Sequence, residues 1–286
     1  MILGVFGGSG LYDIDGLGDR RTLEVSTPYG PPSAPVVSGQ IGDARLLFLP
    51  RHGPGHRLSP SEINYRANVW ALKSLGATRV LSVTAVSSLR DELGPGDFVL
   101  CDQFIDRTHL RASSFFGGGV VGHVGFAEPT CPAFGDAVAR AAAAAAAGKR
   151  LQRNGTYVCM EGPQFSTRAE SRLHRGWGAH VIGMTAVTEA KLAREAELCF
   201  AALALVTDRD AWHEDEAAVS AAAVVEVLTA NVAAARQIIA RLPAEIPGIA
   251  ACGCARAAAG AVLTSPEHIG AEARERLHAL YGRELP

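Results

Sequence analysis

An α/β fold built on a central, mostly buried sheet is the architecture this sequence predicts, and three observations predict it. Short apolar runs of strand length recur along the chain, helical patterns lie between several of them, and small or polar residues follow the runs. Alternation of this kind places helices over the faces of a sheet.

In chain order, residues 1–6 read as a buried strand passing into the tight turn Gly7-Gly8-Ser9-Gly10. Residues 35–39 and 44–49 read as two strands joined around Ile41-Gly42-Asp43, and residues 60–75 carry helical periodicity through Ile63, Ala67, Trp70 and Ala71. Further apolar runs occupy 80–84, 98–101, 157–159, 181–184 and 200–206. A helix beginning near Pro132 extends through the alanine run 141–147, with Gly148 as its stop. The long helical pattern over 219–242 reads as structural packing, and after Pro243 the chain turns rich in small and turn-forming residues. With no internal repeat and no long linker, residues 1–286 read as one domain in which about 244–286 form a C-terminal arm.

Composition narrows the function classes. The 286 residues are 48% hydrophobic and 20% charged, with a formal charge of -2 and no long Lys or Arg run, which argues against nucleic acid or anionic membrane as a partner. A small-molecule substrate is expected. The apolar start lacks a cationic leader and meets glycines at once, and no stretch approaches the roughly 20 apolar residues of a membrane helix, so a cytoplasmic location is expected. Six cysteines spread along the chain are no secreted disulfide framework. Cys252 and Cys254 are expected to form a local structural element without a metal, since no nearby Cys or His pair completes a tetrahedral set. A hyperthermophilic source would allow a disulfide there.

The glycine turn Gly4-x-x-Gly7-Gly8-Ser9-Gly10 departs from the G-x-G-x-x-G spacing of dinucleotide sites, and no acidic partner follows about 20 residues on. Its physical content is a set of backbone N–H groups that converge on an anion, with the Ser9 hydroxyl as a further donor. Arg51-His52-Gly53 follows the apolar run 44–49, where a guanidinium fork suits phosphate and an imidazole adds a hydrogen bond; a plain surface pair is the alternative. Thr84-Ala85-Val86-Ser87-Ser88 and Met184-Thr185 follow two other runs and suggest a shared polar pocket, although such residues also simply form turns. Thr207-Asp208-Arg209-Asp210 ends the run 200–206 and puts one carboxylate or both at the same sheet edge, partly desolvated and holding a proton, or else forms an Asp-stabilised turn.

Taken in order, Gly7-Gly8-Ser9-Gly10-Leu11, Thr27-Pro28-Tyr29-Gly30, Arg51-His52-Gly53, the block from Asn64 to Leu72, Asp102-Gln103-Phe104-Ile105-Asp106-Arg107-Thr108, the block from Glu161 to Glu170, and Thr207-Asp208-Arg209-Asp210 resemble the signature blocks of the methylthioadenosine phosphorylases. The tail from Cys252-Gly253-Cys254 onward resembles the longer tail of some bacterial and archaeal members. The resemblance implies the single-domain nucleoside phosphorylase fold, a central mixed β-sheet flanked by helices, in a homo-oligomer that is a trimer or a dimer of trimers. By motif it implies that Ser9, Arg51, His52, Thr84, Ala85 and Thr185 hold phosphate. It sets Met184 against the ribose, Phe165 and Ser166 around the base, and Asp208 with Asp210 as its readers. His123 matches the block offered to the adjacent subunit near the 5' substituent. Inorganic phosphate is then a co-substrate, and neither metal nor organic cofactor is required.

Asp208 is the catalytic residue of this reading, because a protonated carboxyl satisfies both the N6 donor and the N7 acceptor of a 6-amino purine. Adenine is favoured over 6-oxo purines. Ser87 stands where the family usually has glycine, Gln164 where arginine is common, Gly183 where many have asparagine, and Ala221 where a valine often lines the 5' pocket. Those departures leave the reaction class intact and put substrate breadth in question, with adenosine and methylthioinosine as the further substrates to try.

Overall fold

The computed structural model describes residues 1–8, 11, 13–145, 148–213, 221–248 and 251–281, with the side chains of 221–226, 248 and 279 outside that description. Its spine is β1 (Ile2–Gly7), buried from Leu3 onward. On one side of β1 lie β4 (Ala44–Pro50), parallel to it, then β3 (Val36–Ile41) and the polar edge strand β2 (Gly18–Leu23), each antiparallel to its neighbour. On the other side, β5 (Arg79–Ser88) runs parallel to β1 over its first residues and parallel to β9 (Cys199–Arg209) throughout. β9 pairs with β6 (Phe98–Arg107), β6 with β7 (Leu151–Met160), β7 with β8 (Val181–Gly183), and β8 with β5 again. The nine-stranded mixed sheet is therefore an open wing joined to a small closed barrel, with β5 belonging to both.

Side-chain alternation sends the two faces of this sheet into two cores. Phe200, Ala202, Ala204 and Val206 of β9 join Phe6 and Val80 in one, while Cys199, Ala201, Leu203 and Leu205 join Leu3, Val5 and Leu81 in the other. The first core lies under α1 (Tyr65–Ser74), α4 (Ala186–Glu195) and α6 (Ala271–Tyr281), the second under α2 (Pro132–Ala145) and α5 (Ala221–Glu245). α3 (Arg168–Gly176) opens on a reciprocal capping box between Thr167 and Glu170.

Several boundaries differ from the sequence expectation for identifiable reasons. α1 starts at Tyr65 and not near Pro60, because the Asn64 side chain accepts from the Ala67 amide and caps the helix there. The residues expected to follow the runs 80–84 and 200–206 lie inside β5 and β9, held extended by pairing between those two strands as far as Ser88 and Arg209. β2 was invisible to an apolar-run criterion because it is a solvated edge. The arm carries a helix, α6, that its small-residue composition concealed, and α5 continues past Pro243.

The cysteine expectation needs correction. Cys131 and Cys199, far apart in the chain, bring their sulfurs to Cys252 and Cys254, so a full set of four thiols does exist. Spacing could not show it, since only the C-x-C pair is local.

Candidate active site

Thr185 is the N-cap residue of α4 but makes no side-chain cap bond to its own helix. Its hydroxyl instead lies 3.3 Å from that of Thr84 on β5, both nearly fully buried. The first-turn amides of α4 have no intrahelical acceptor, so this helix end and the two hydroxyls together make an anion-sized polar end. Tyr157 of β7 closes it from beneath: its hydroxyl is fully buried beside Thr84 and the Thr185 backbone, without a bond of ordinary geometry among the described residues, and burial raises its pKa.

Arg51 follows β4, and its amide donates to the Gly7 carbonyl at 3.1 Å, which sets the guanidinium beside the end of β1. The fork does not point to open space. Nε and Nη2 donate to Glu189 of α4 at 2.7 and 3.1 Å, Nη2 also to Ser82 at 3.0 Å, and Nη1 to the Val83 carbonyl at 2.7 Å. Burial opposes the charge on Arg51, and Glu189 more than offsets that penalty. Four of five guanidinium hydrogens are thus committed to protein partners, which revises the sequence-level picture of a fork open to phosphate. His52 is revised as well. Its Nδ1 lies 2.9 Å from the Leu58 carbonyl and so carries the proton, leaving Nε2 as an acceptor in the neutral ring. Burial and the neighbouring Arg51 charge push its pKa down to about 4 despite that bond.

Along β5 toward Ser88, the ladder with β9 slips between Val86 and Ser87: Val86 faces Val206, yet Ser87 faces Asp208. Thr207 is the extra residue of a bulge, a device that re-aims the side chain after it. Its hydroxyl lies 3.2 Å from the Val86 carbonyl and 2.6 Å from Asp208 Oδ1, fixing the half-buried Asp208 carboxylate. Asp210 is almost fully buried, its amide donating to the Ser88 carbonyl at 3.0 Å, and its Oδ2 has no partner among the described residues.

A second arginine organises the loop from Glu161 to Ser166. Arg111 donates from Nε to Glu161 Oε1 at 3.0 Å, from Nη2 to the Glu161 carbonyl at 2.7 Å, and from Nη1 to the Met184 carbonyl and Tyr65 hydroxyl. Glu161 also accepts from Ser61 and from the His109 and Leu110 amides. Partial burial works against its ionisation, but those bonds and Arg111 hold its pKa down at about 2. Met184 and the loop bearing Phe165 and Ser166 thus share one clamp, with Met184 Sδ 2.5 Å from where a Cβ on Gly162 would stand. Phe165 is 44% exposed and Ser166 Oγ lies 3.9 Å from Met160 Sδ.

The structure therefore brings Thr84 and Ala85 of mid-β5 together with Met184 and Thr185 between β8 and α4, and sets Asp208 farther along the β5–β9 ladder with Asp210 just past its end. Ser9 and the side chain of Ala221 lie outside the described residues. His123 is exposed on a loop that pairs with the backbone of residues 261–264, and its own amide donates to the Ala261 carbonyl. Glu189, Tyr157 and Arg111 were missed by sequence reading, although their partners Arg51, Thr84, Tyr65 and Glu161 lie in segments that it singled out. Gly183 gains a physical account: a Cβ there would sit 2.0 Å from the Tyr157 hydroxyl.

The profile of the phosphorylase superfamily matches residues 2–243. An S-methyl-5'-thioadenosine phosphorylase from Geobacter sulfurreducens is 51% identical over 282 residues, covering 98% of both chains. Its counterpart from Rhodospirillum rubrum is 50% identical, covering 99% of this chain and 97% of its own. Among solved structures, a methylthioadenosine phosphorylase from an Antarctic soil metagenomic library superposes with TM-score 0.93 at 47% identity, over 97% of this chain and 98% of its own. A mutant adenosine/methylthioadenosine phosphorylase of Schistosoma mansoni in complex with adenine gives TM-score 0.82 at 39% identity, over 87% and 93%.

Proposed function

This chain belongs to the phosphorylase superfamily and, within it, to the S-methyl-5'-thioadenosine phosphorylases, and from that premise we propose how its own residues divide the reaction. The substrate is S-methyl-5'-thioadenosine. Inorganic phosphate displaces adenine: the bond from ribose C1' to purine N9 breaks, a bond from C1' to a phosphate oxygen forms, and the base leaves with a proton. The products are adenine and 5-methylthioribose 1-phosphate.

One observation carries the assignment of roles. β5 holds Thr84 at the mouth of α4, its hydroxyl 3.3 Å from Thr185, and three residues on sets Ser87 opposite Asp208. That separation is about 10 Å along a strand, room for a phosphate at one end and a purine at the other with a ribose between. Phosphate is already ionised and needs positioning and desolvation more than a base. Thr84, the Ala85 backbone, Thr185 and the α4 amides supply donors, joined by Ser9 of the glycine turn. His52, presenting an acceptor nitrogen, suits a protonated phosphate oxygen. Arg51 is a positioning residue: it ties β4, β5 and α4 together beneath the anion and offers at most one further hydrogen.

As the C1'–N9 bond stretches, positive charge on the sugar is met by the bound phosphate, and negative charge on the base by a proton or hydrogen bond from Asp208 to N7. Asp210 follows two residues on, and its buried Oδ2, without a partner among the described residues, suits a second reader of the base edge. Met184 lies against the ribose, Phe165 and Ser166 bound the purine, and Tyr157 fills the space that a side chain at residue 183 would take. No metal or organic cofactor enters the reaction. No described helix is long and apolar enough to cross a membrane, in keeping with a cytoplasmic enzyme of nucleoside salvage.

The assembly we infer is a homotrimer, or two stacked trimers, in which His123 reaches the 5' end of a neighbour's pocket. Exposed apolar side chains at Leu110, Val121 and Phe165, on the segments flanking the site, support that reading. The deciding measurement is adenine release from methylthioadenosine with and without phosphate. Release that ignores phosphate would remove the proposal. Adenosine and methylthioinosine belong in the same assay, because the Schistosoma relative's name joins adenosine to methylthioadenosine and Gly183 alters the wall between ribose and β7.

A further inference from the structure

The sulfurs of Cys131, Cys199, Cys252 and Cys254 lie within 4.8 Å of one another, and the Cys199 and Cys252 sulfurs are 3.4 Å apart. A tetrahedral zinc–thiolate centre with bonds of about 2.3 Å has sulfur–sulfur edges of about 3.8 Å, inside that spread. Every sulfur neighbours the other three, so the arrangement is one cluster. The four arrive from separate parts of the fold: Cys131 from the turn before α2, Cys199 from the start of β9, Cys252 and Cys254 from the arm. Three are buried and Cys252 is exposed, which gives an ion a path of entry.

Cys131 has a second feature that favours a thiolate. Its carbonyl accepts from the Gly135 amide at 2.8 Å, which makes it the N-cap of α2 with Pro132 at the first helical position. A helix N-terminus offers its partial positive charge and free amides to such an anion. The cluster is separate from the nucleoside site, because Cys199 and Asp208 stand at opposite ends of β9, about 30 Å apart along the strand.

We propose that these four cysteines bind one structural zinc ion that clamps the C-terminal arm to the barrel. On binding, four S–H bonds break and four Zn–S bonds form, four protons pass to solvent, and no oxidant or reductant takes part. Past the clamp the arm runs to Ala261 and Leu263, which pair with His123 and Val121, and to Thr264, whose hydroxyl accepts from the Val121 amide. The ion thereby also steadies the loop that carries His123.

The test is metal analysis of the whole chain purified under reducing conditions without chelator. About one zinc per chain is expected, and the metal-stripped protein should take up added zinc with proton release. Cobalt added in its place should give the intense visible absorption of a tetrahedral thiolate. Cys252→Ser, the exposed position, should lower zinc content to under about a tenth per chain and reduce Tm by several degrees while the chain stays folded. If that variant failed to fold, zinc stoichiometry and the cobalt spectrum of the unaltered chain would decide alone. A metal-free native chain four hydrogens lighter, hence with two disulfides, or four free thiols that take up no zinc, would overturn the proposal.

Discussion

The two ends of the site follow different construction rules. At the proposed phosphate end, Thr84, Thr185, Arg51 and Glu189 are buried, and they sit on strands and a helix whose positions the sheet dictates. At the base end, Phe165 and Ser166 ride a loop, and the clamp that holds it, Arg111 with Glu161, has side chains 1% and 12% exposed against 3% and 2% for Arg51 with Glu189. The difference teaches where this fold keeps its precision. On the proposed assignment, phosphate meets scaffold and the nucleoside meets a pinned loop.

The largest expected effect of breaking that contrast is on stability. Glu189→Ala leaves the Arg51 charge buried with only hydroxyl and carbonyl partners, which costs about 3–5 kcal/mol. Equilibrium urea unfolding checks it. The double variant Arg51→Met with Glu189→Leu, which removes both charges, should recover most of the loss while still lacking phosphate saturation. Were Glu189→Ala nearly neutral, the pair would not be the keystone of that end.

Next in size is Asp208→Asn, which removes the proton the leaving base needs. Adenine release should fall by about 10²-fold or more in kcat, with the phosphate KM little changed. Steady-state kinetics with each substrate varied separates the two parameters, and unchanged turnover would take Asp208 out of the mechanism.

Much of this is legible in the amino-acid sequence. Apolar runs located β1, β3, β4 and the cores of β5 to β9, because a sheet covered on both faces needs near-continuous hydrophobic residues. Ordered motif blocks pointed to the family, and the last of them to the end of β9 that carries Asp208. What stayed hidden depends on contacts between distant residues. Nothing local marks Glu189 as the partner of Arg51, 138 residues away, or Arg111 as the clamp of a loop 50 residues on. The bulge at Thr207 is a matter of register, which one strand's sequence cannot state. Edge strand β2 escaped because its exposed polar residues carry no burial signal. The four-thiol cluster escaped because three separate segments must fold before it exists.

A smaller effect is expected at the hydroxyl pair. Thr84→Val keeps the shape of the side chain and deletes one donor to an anion, a loss of about 1.5 kcal/mol at the low end for a charged acceptor, so the phosphate KM should rise about ten-fold. Binding of the nucleoside alone, measured calorimetrically without phosphate, should barely move. Equal losses for both ligands would mean that the two ends are not separately built, and the contrast drawn between them would fail.

The smallest effect concerns pH, and it sharpens the contrast by giving each end its own window. His52 is held neutral by burial and by Arg51, with a folded pKa of about 4 against an ordinary 6.5. Between those values the unfolded chain binds a proton that the folded chain refuses, so stability falls as pH drops. The contribution of the neutral ring is complete above about pH 6.5 and is lost progressively on the way down to pH 4. For a shift of this size the change between pH 7 and pH 5.5 is about 1 kcal/mol. Glu161 at the other end behaves in a lower window. Its folded pKa of about 2 lies beneath the ordinary 4.5, so its stabilisation is present above 4.5 and disappears as pH falls through 2. Urea titrations from pH 7.5 to pH 3 on the parent, His52→Gln and Glu161→Gln should separate the two. His52→Gln should flatten the upper part of the profile and Glu161→Gln the lower part. A parent profile that is already flat from pH 7 to pH 5.5 would show that the fold does not depress the His52 pKa, so that the ring gains a proton within that range. Its Nε2 would then become a donor to phosphate below about pH 6.5 and not remain the acceptor assigned to it.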